Sequence, residues 1–213
     1  MKIATFALLL ALGTQHHHDP RHSFEDIDRW VAEFEGPARD SKQKPDEVVA
    51  AMKLQASDRV ADIGAGTGYF SRRFAKAVGD GGIVYAVDLE PNMLRYVAKR
   101  ARAEGQKNIV PVLATPDSPM LAPGSVDAIF ICNTIHHIEN REPYYGILRE
   151  TLRPGGRLMI VDFRKDAVLE EGPPPSMRLE RSELERELSK AGFRLEEEHH
   201  FLPDQYFVVF RPV

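Results

Sequence analysis

The 213 residues carry 28 lysines and arginines against 32 aspartates and glutamates, a net charge of −4. A chain of this length holds one domain with a full core, and 43% hydrophobic with 28% charged residues argues against global disorder. The charge supplies no overall basic field for nucleic acid or anionic lipid, and Cys132, the sole cysteine, rules out an intrachain disulfide or a thiolate metal cluster.

In chain order, Ile3–Leu12 comes first, apolar except for Thr5 and preceded by Lys2. It is shorter than the roughly 20 residues that span a bilayer. It fits the apolar core of a secretory signal or anchor, and equally a buried or frayed helix. His16-His17-His18-Asp19 and His22 follow. Clustered imidazoles take up transition metals, but a specific site needs fixed geometry, and a proline-containing segment favours adventitious binding. Residues 1–22 divide into that candidate signal or anchor segment and a His-rich linker, 23–58 are expected to form a helical cap and 59–213 the main domain.

Ser23 and Asp26 open an amphipathic helix to about Phe34, with Phe24, Ile27, Trp30, Val31 and Phe34 on one side. Gly36-Pro37 ends it. Pro45 sits in the first turn of a second helix, from Asp46 to Leu54. Between them Ala38–Pro45 carries Arg39, Gln43 and Lys44, either surface charge or a cation available to a ligand carboxylate.

From Arg59 onward short apolar runs alternate with helical periodicity. Strands are predicted at Arg59–Ile63, Ile83–Val87, Ile109–Val112, Ala128–Cys132 and Arg157–Val161, and helices at Gly68–Val78, Pro91–Glu104 and Tyr144–Leu152. That alternation predicts a parallel sheet covered on both faces. The basic run Arg95–Arg102 has the spacing of a solvated helix face. Cys132, ending an apolar run, reads as a buried thiol, with a reactive nucleophile as the alternative. After a helix at Ser182–Ala191, strands at Arg194–His200 and Gln205–Phe210 are joined by Phe201–Asp204, which is long enough only for a hairpin.

Asp62-Ile63-Gly64-Ala65-Gly66-Thr67-Gly68 leaves a strand and enters a helix. Glycines allow the sharp turn and a close ligand approach, and the helix beyond offers free N–H groups. The dinucleotide fingerprint places its third glycine one residue later. Here that position is Tyr69, which disfavours a nicotinamide cofactor. The next strand ends in Asp88-Leu89-Glu90, about 20 residues on. A carboxylate there can accept both hydroxyl protons of an adenosine ribose; its competing role is to cap the helix at Pro91.

The stretches DIGAGTGYF, AVDLEPNML, VDAIFICNTIHHI and LRPGGRLMIVDF together resemble the successive motifs of the class I methyltransferases, which use S-adenosyl-L-methionine. The resemblance covers about Arg59–Phe163. It implies a doubly wound α/β fold with a mostly parallel seven-stranded sheet of order 3-2-1-4-5-7-6, strand 7 antiparallel. By the same resemblance Asp62, Gly64, Ala65, Gly66 and Gly68 would hold the methionine end of the cofactor. Asp88 would take the ribose, with Leu89 and Met93 packed beside it. Ala114-Thr115-Pro116-Asp117 departs from the usual Gly-Asp-Ala, so either Thr115 or Asp117 would meet the adenine amino group. Leu152–Gly156 reads as a turn before the fifth strand. The cytoplasmic origin of the cofactor favours a cytoplasmic chain over an exported or anchored one.

Ligands of such sheets sit beyond the strands' C-terminal edge, which puts Asn133 and Thr134 at the pocket floor and His136 and His137 close by. Either histidine, or Asp162 at the end of the fifth strand, is a candidate for taking a proton from an oxygen or nitrogen acceptor. His136 and His137 also read as packing residues, and Asp162 as a cap of local backbone. Direct displacement needs no metal, and none is expected. The remaining reading of the acceptor is a small molecule, with no nucleic acid, no transmembrane span, and a monomer or weak dimer. A nucleotide-dependent oxidoreductase and a non-catalytic cofactor-binding or metal-sensing protein are the competing classes.

Overall fold

The computed structural model describes residues 26–169 and 172–213; the apolar run and the histidine cluster of the N-terminus lie outside them. Three short helices come first, α1 (Ile27–Glu35), α2 (Pro37–Gln43) and α3 (Pro45–Ala51). The core then runs β1 (Arg59–Ile63), α4 (Ser71–Val78), β2 (Ile83–Asp88), α5 (Pro91–Ala103), β3 (Ile109–Leu113) and β4 (Val126–Cys132). It closes with α6 (Arg141–Thr151), β5 (Leu152–Phe163), α7 (Arg181–Lys190), β6 (Phe193–His199) and β7 (Gln205–Pro212).

The strands form one sheet of order β3-β2-β1-β4-β5-β7-β6. β1 through β5 pair in parallel, and β7 is antiparallel to both β5 and β6. The period-two alternation of the strands feeds two cores. Val60, Ala86, Phe130, Val161 and Phe207 face α3, α4 and α5, while Ile63, Val87, Ile131, Ile160 and Val208 face α6 and α7. Phe70, Phe74 and Phe130 make a buried aromatic cluster with ring centroids 4.8–5.6 Å apart.

Several boundaries differ from the sequence reading. Gly36-Pro37 does end α1, but Pro37 also starts α2. Gly36 is extended (φ −70°, ψ 155°), and proline at the first helical position loses no hydrogen bond. Lys44, left-handed at φ 43°, then turns the chain into α3. α4 begins at Ser71 because Gly68 is left-handed and keeps the chain out of the helix. Leu152–Gly156 lies inside β5: Val126 pairs with Leu152 and Ala128 with Arg157, so the intervening residues bulge through left-handed Gly155. Arg95, Lys99, Arg100 and Arg102 are exposed on α5, as the spacing predicts. Residues 114–125, between β3 and β4, form no helix; on this side of the sheet Ala114 and Leu121 of that segment pack against the core around Val87.

Candidate active site

The C-terminal ends of β1, β2, β4 and β5 meet along one edge of the sheet, and the glycine turn leaves β1 there. Gly64, Gly66 and Gly68 all have positive φ, at 73°, 54° and 76°. Gly64 and Ala65 donate to Val87 O at 2.9 and 3.0 Å, which fastens the turn to β2. A Cβ on Gly64 would meet Thr134 Oγ1 at 2.1 Å, so this glycine is required by packing as well as by conformation. Above Gly66 the nearest atom to such a Cβ is a Phe34 ring carbon at 3.5 Å.

Asp62 ends in the core beside this turn, 3% exposed, and accepts from Ser71 Oγ at 2.5 Å. Burial lifts its carboxyl to about 6, against the Ser71 bond and the charge of Arg39. Asp88, at the end of β2, accepts from Gly66 N at 2.7 Å and from Glu90 N at 2.9 Å. The carboxylate that was a ribose candidate therefore also ties the glycine turn to the start of α5. Burial raises its pKa too, opposed by these backbone bonds. Leu89 beside it is half exposed, whereas Met93 is buried under the first turn of α5. Thr115 and Asp117 are both exposed: Thr115 pairs with Ser118 across a tight turn, while Asp117 accepts from Asn140 Nδ2 at 3.3 Å.

The two histidines after β4 separate. His136 Nδ1 lies 2.8 Å from Asp162 Oδ1 and 2.9 Å from Oδ2, with both side chains buried. Asp162 also accepts from Phe163 N. His137 is exposed, its ring 4.2 Å from that of His136. Cys132 is buried, and burial pushes its thiol up to about 12, which fits the inert reading of this residue.

The helical cap contributes side chains that sequence alone left undecided. Arg39 donates to Phe34 O at 2.8 Å and stands over the Tyr69 ring at 4.2 Å; its charge acts on both Asp62 and Cys132. Arg73 covers the same ring at 4.1 Å, and the Tyr69 hydroxyl donates to Asp40. Tyr69, the residue standing where a dinucleotide turn has glycine, thus docks α2 onto the glycine turn. Gln43 is buried, while Lys44 points to Glu47 at the surface. The signal for Arg39 and Gln43 was their place just ahead of the core; α2, which sets their spacing, was not visible.

A nucleoside sulfonium with an amino-acid tail fits these residues. The turn supplies a surface without Cβ atoms over Gly66, Thr67 Oγ1 is buried there without a partner, and carboxylates stand at the ends of β1 and β2. Among the described residues no group of three metal-ligating side chains occurs, and no helix is long and apolar enough to cross a membrane.

A family model described as a methyltransferase domain matches residues 61–158. The chain is 29% identical over 118 residues to the ubiquinone/menaquinone biosynthesis C-methyltransferase UbiE of Burkholderia vietnamiensis, covering 55% of this chain and 48% of that one. It therefore spans about half the length of the curated relatives it matches. A SAM-dependent methyltransferase of known structure from Aquifex aeolicus superposes with a TM-score of 0.81 at 26% identity, over 86% of this chain and 97% of that one. An N-methyltransferase from Haemonchus contortus, in complex with phosphomonomethylethanolamine and S-adenosylhomocysteine, shares the fold: TM-score 0.62, 23% identity, 73% and 38% coverage.

Proposed function

We propose that the chain is a class I, Rossmann-like S-adenosylmethionine-dependent methyltransferase, a reading supported by the matching methyltransferase-domain model and the similar proteins above, and that it moves the methyl group of S-adenosyl-L-methionine to a small-molecule acceptor. The observation that carries the reading is the junction of Gly66 with Asp88, where a carboxylate and a glycine-rich turn from neighbouring strands stand at one edge. When bound, the cofactor supplies an electrophilic methyl group on a positively charged sulfur.

The chain's own residues then have limited tasks. Asp88 holds the ribose hydroxyls, Asp62 and the glycine turn hold the ammonium end, and Arg39 meets the carboxylate. Leu89 and Met93 flank the adenine side, and Thr115 or Asp117, the latter bonded to Asn140, meets the adenine amino group. Phe34, over Gly66, excludes water from the reacting groups. The acceptor loses a proton as it gains the methyl group, and exposed His137 is the group placed to take it. His136 and Asp162 position that ring from beneath.

The acceptor atom is proposed as oxygen or nitrogen, in a molecule small enough to reach His137; the Burkholderia relative is named as a C-methyltransferase. A labelled-methyl assay over pools of small amines, phenols and quinols tests this. Label appearing in a small product supports the proposal. Label found only in protein or nucleic acid overturns it.

A further inference from the structure

Three primary amides run through the interior to the edge of the site. Gln43, the last residue of α2, and Gln205, the first of β7, are 3% and 5% exposed. Gln43 Nε2 donates to Gln205 Oε1 at 2.9 Å, and Gln205 Nε2 donates to Asn133 Oδ1. Asn133 follows the last residue of β4 in the left-handed region at φ 53°, with its own N–H on Val161 O. The three residues are 162 and 72 positions apart in sequence, so only the fold joins them.

An amide has one accepting end and one donating end. With Gln205 Oε1 taken by Gln43, its NH2 group must face Asn133, and Asn133 must answer with its oxygen. The chain is therefore directional, and what remains at its end is the Asn133 NH2 group. Among the described residues none accepts from it. Asn133 directly follows Cys132, and α2, which carries Gln43 at the inner end of this chain of amides, also carries Arg39, whose guanidinium stands over Tyr69 of the glycine turn. A guanidinium from α2 and an amide donor after β4 are the two kinds of group that recognise a carboxylate.

We propose that Gln205 is a positioning residue that locks the Asn133 amide with its NH2 group toward the carboxylate of the cofactor, and that through Gln43 it couples this contact to the docking of α2. The inference rests on the proposed cofactor site. It adds a residue of the C-terminal hairpin, outside every motif of the first five strands, to the determinants of binding.

Gln205→Glu tests the direction of the chain. A carboxylate accepts from both neighbours, so both links survive, but Asn133 must turn and present its oxygen. Calorimetry would compare S-adenosylmethionine with 5′-methylthioadenosine, which keeps the adenosyl group and sulfur and lacks the amino-acid tail. We expect a folded variant whose affinity for S-adenosylmethionine falls about tenfold or more, while methylthioadenosine changes less than about twofold. Neutral Gln205→Met, which frees the Asn133 amide to rotate, should show the same selectivity with a loss of about threefold. Equal losses for both ligands, or no loss in either variant, overturn the proposal. A selective loss in Gln205→Glu with none in Gln205→Met also overturns it, because charge repulsion alone then suffices. A wild-type chain that binds neither ligand refutes the cofactor site itself, and the relay with it.

Discussion

His136 Nδ1 sits 2.8 Å from Asp162 Oδ1, a buried bond between the segment after β4 and the end of β5. It divides the labour of two adjacent histidines, because the residue that is held is His136 and the residue that faces outward is His137.

His136→Ala leaves a carboxylate in the core that keeps its bond from Phe163 N and loses the imidazole, and should destabilise the fold by about 3 kcal/mol. His137→Ala, at an exposed ring, should cost under about 1 kcal/mol while slowing methyl transfer on the order of 100-fold. Urea unfolding and single-turnover assays separate the two effects. A fully active His137→Ala enzyme would remove that residue from the chemistry.

Asp62 predicts a pH dependence of stability. Its carboxyl, ordinarily near 3.8, titrates at about 6 in the folded protein, chiefly through burial. The folded state holds this proton more tightly than the unfolded chain. The contribution to stability is thus complete below pH 4 and is lost as pH rises through about 6, a change of about 3 kcal/mol. Asp62→Asn cannot ionise. Its stability relative to the wild type should therefore improve by about that amount between pH 4 and 7.5 in urea titrations, and a constant difference across the range would contradict this.

Two glycine-to-alanine changes should move stability in opposite directions. Gly64→Ala forces a side chain into φ 73° and into Thr134, and should destabilise by more than about 2 kcal/mol. Gly146, inside α6, has ordinary helical φ, and a Cβ added there would meet nothing within 4 Å. Gly146→Ala should stabilise by about 0.5–1 kcal/mol. Thermal melts of both variants check the pair.

Cys132 should resist thiol reagents at pH 8 in the folded protein and react on unfolding, since burial holds its thiol near pKa 12. Labelling with and without denaturant measures it. Rapid modification of the native protein would reopen the nucleophile reading.

Most of the sheet is legible in the sequence because its strands are continuous apolar runs separated by glycine, proline and helical periodicity, and Phe201–Asp204 is too short for anything but a hairpin. Arg59–Ile63 matches to the residue. β5 reads too short because Pro154-Gly155-Gly156 has the composition of a turn, whereas pairing with β4 absorbs it as a bulge. α2 escapes the sequence reading because proline after glycine marks a helix end as readily as a helix start. The site is legible where one segment carries it, as in the glycine turn and Asp88. It is not legible where distant segments combine. The separation of His136 from His137 depends on Asp162, 26 residues on, and Gln205 enters only through β7.

Isothermal titration of the wild-type protein and of Asp88→Ala with S-adenosylmethionine and with NADH decides which cofactor the glycine turn and Asp88 hold. We expect one-to-one binding of S-adenosylmethionine, no binding of NADH, and a loss on the order of 100-fold in Asp88→Ala, where the two ribose bonds disappear together with those from Gly66 N and Glu90 N. Binding of NADH without binding of S-adenosylmethionine would contradict this.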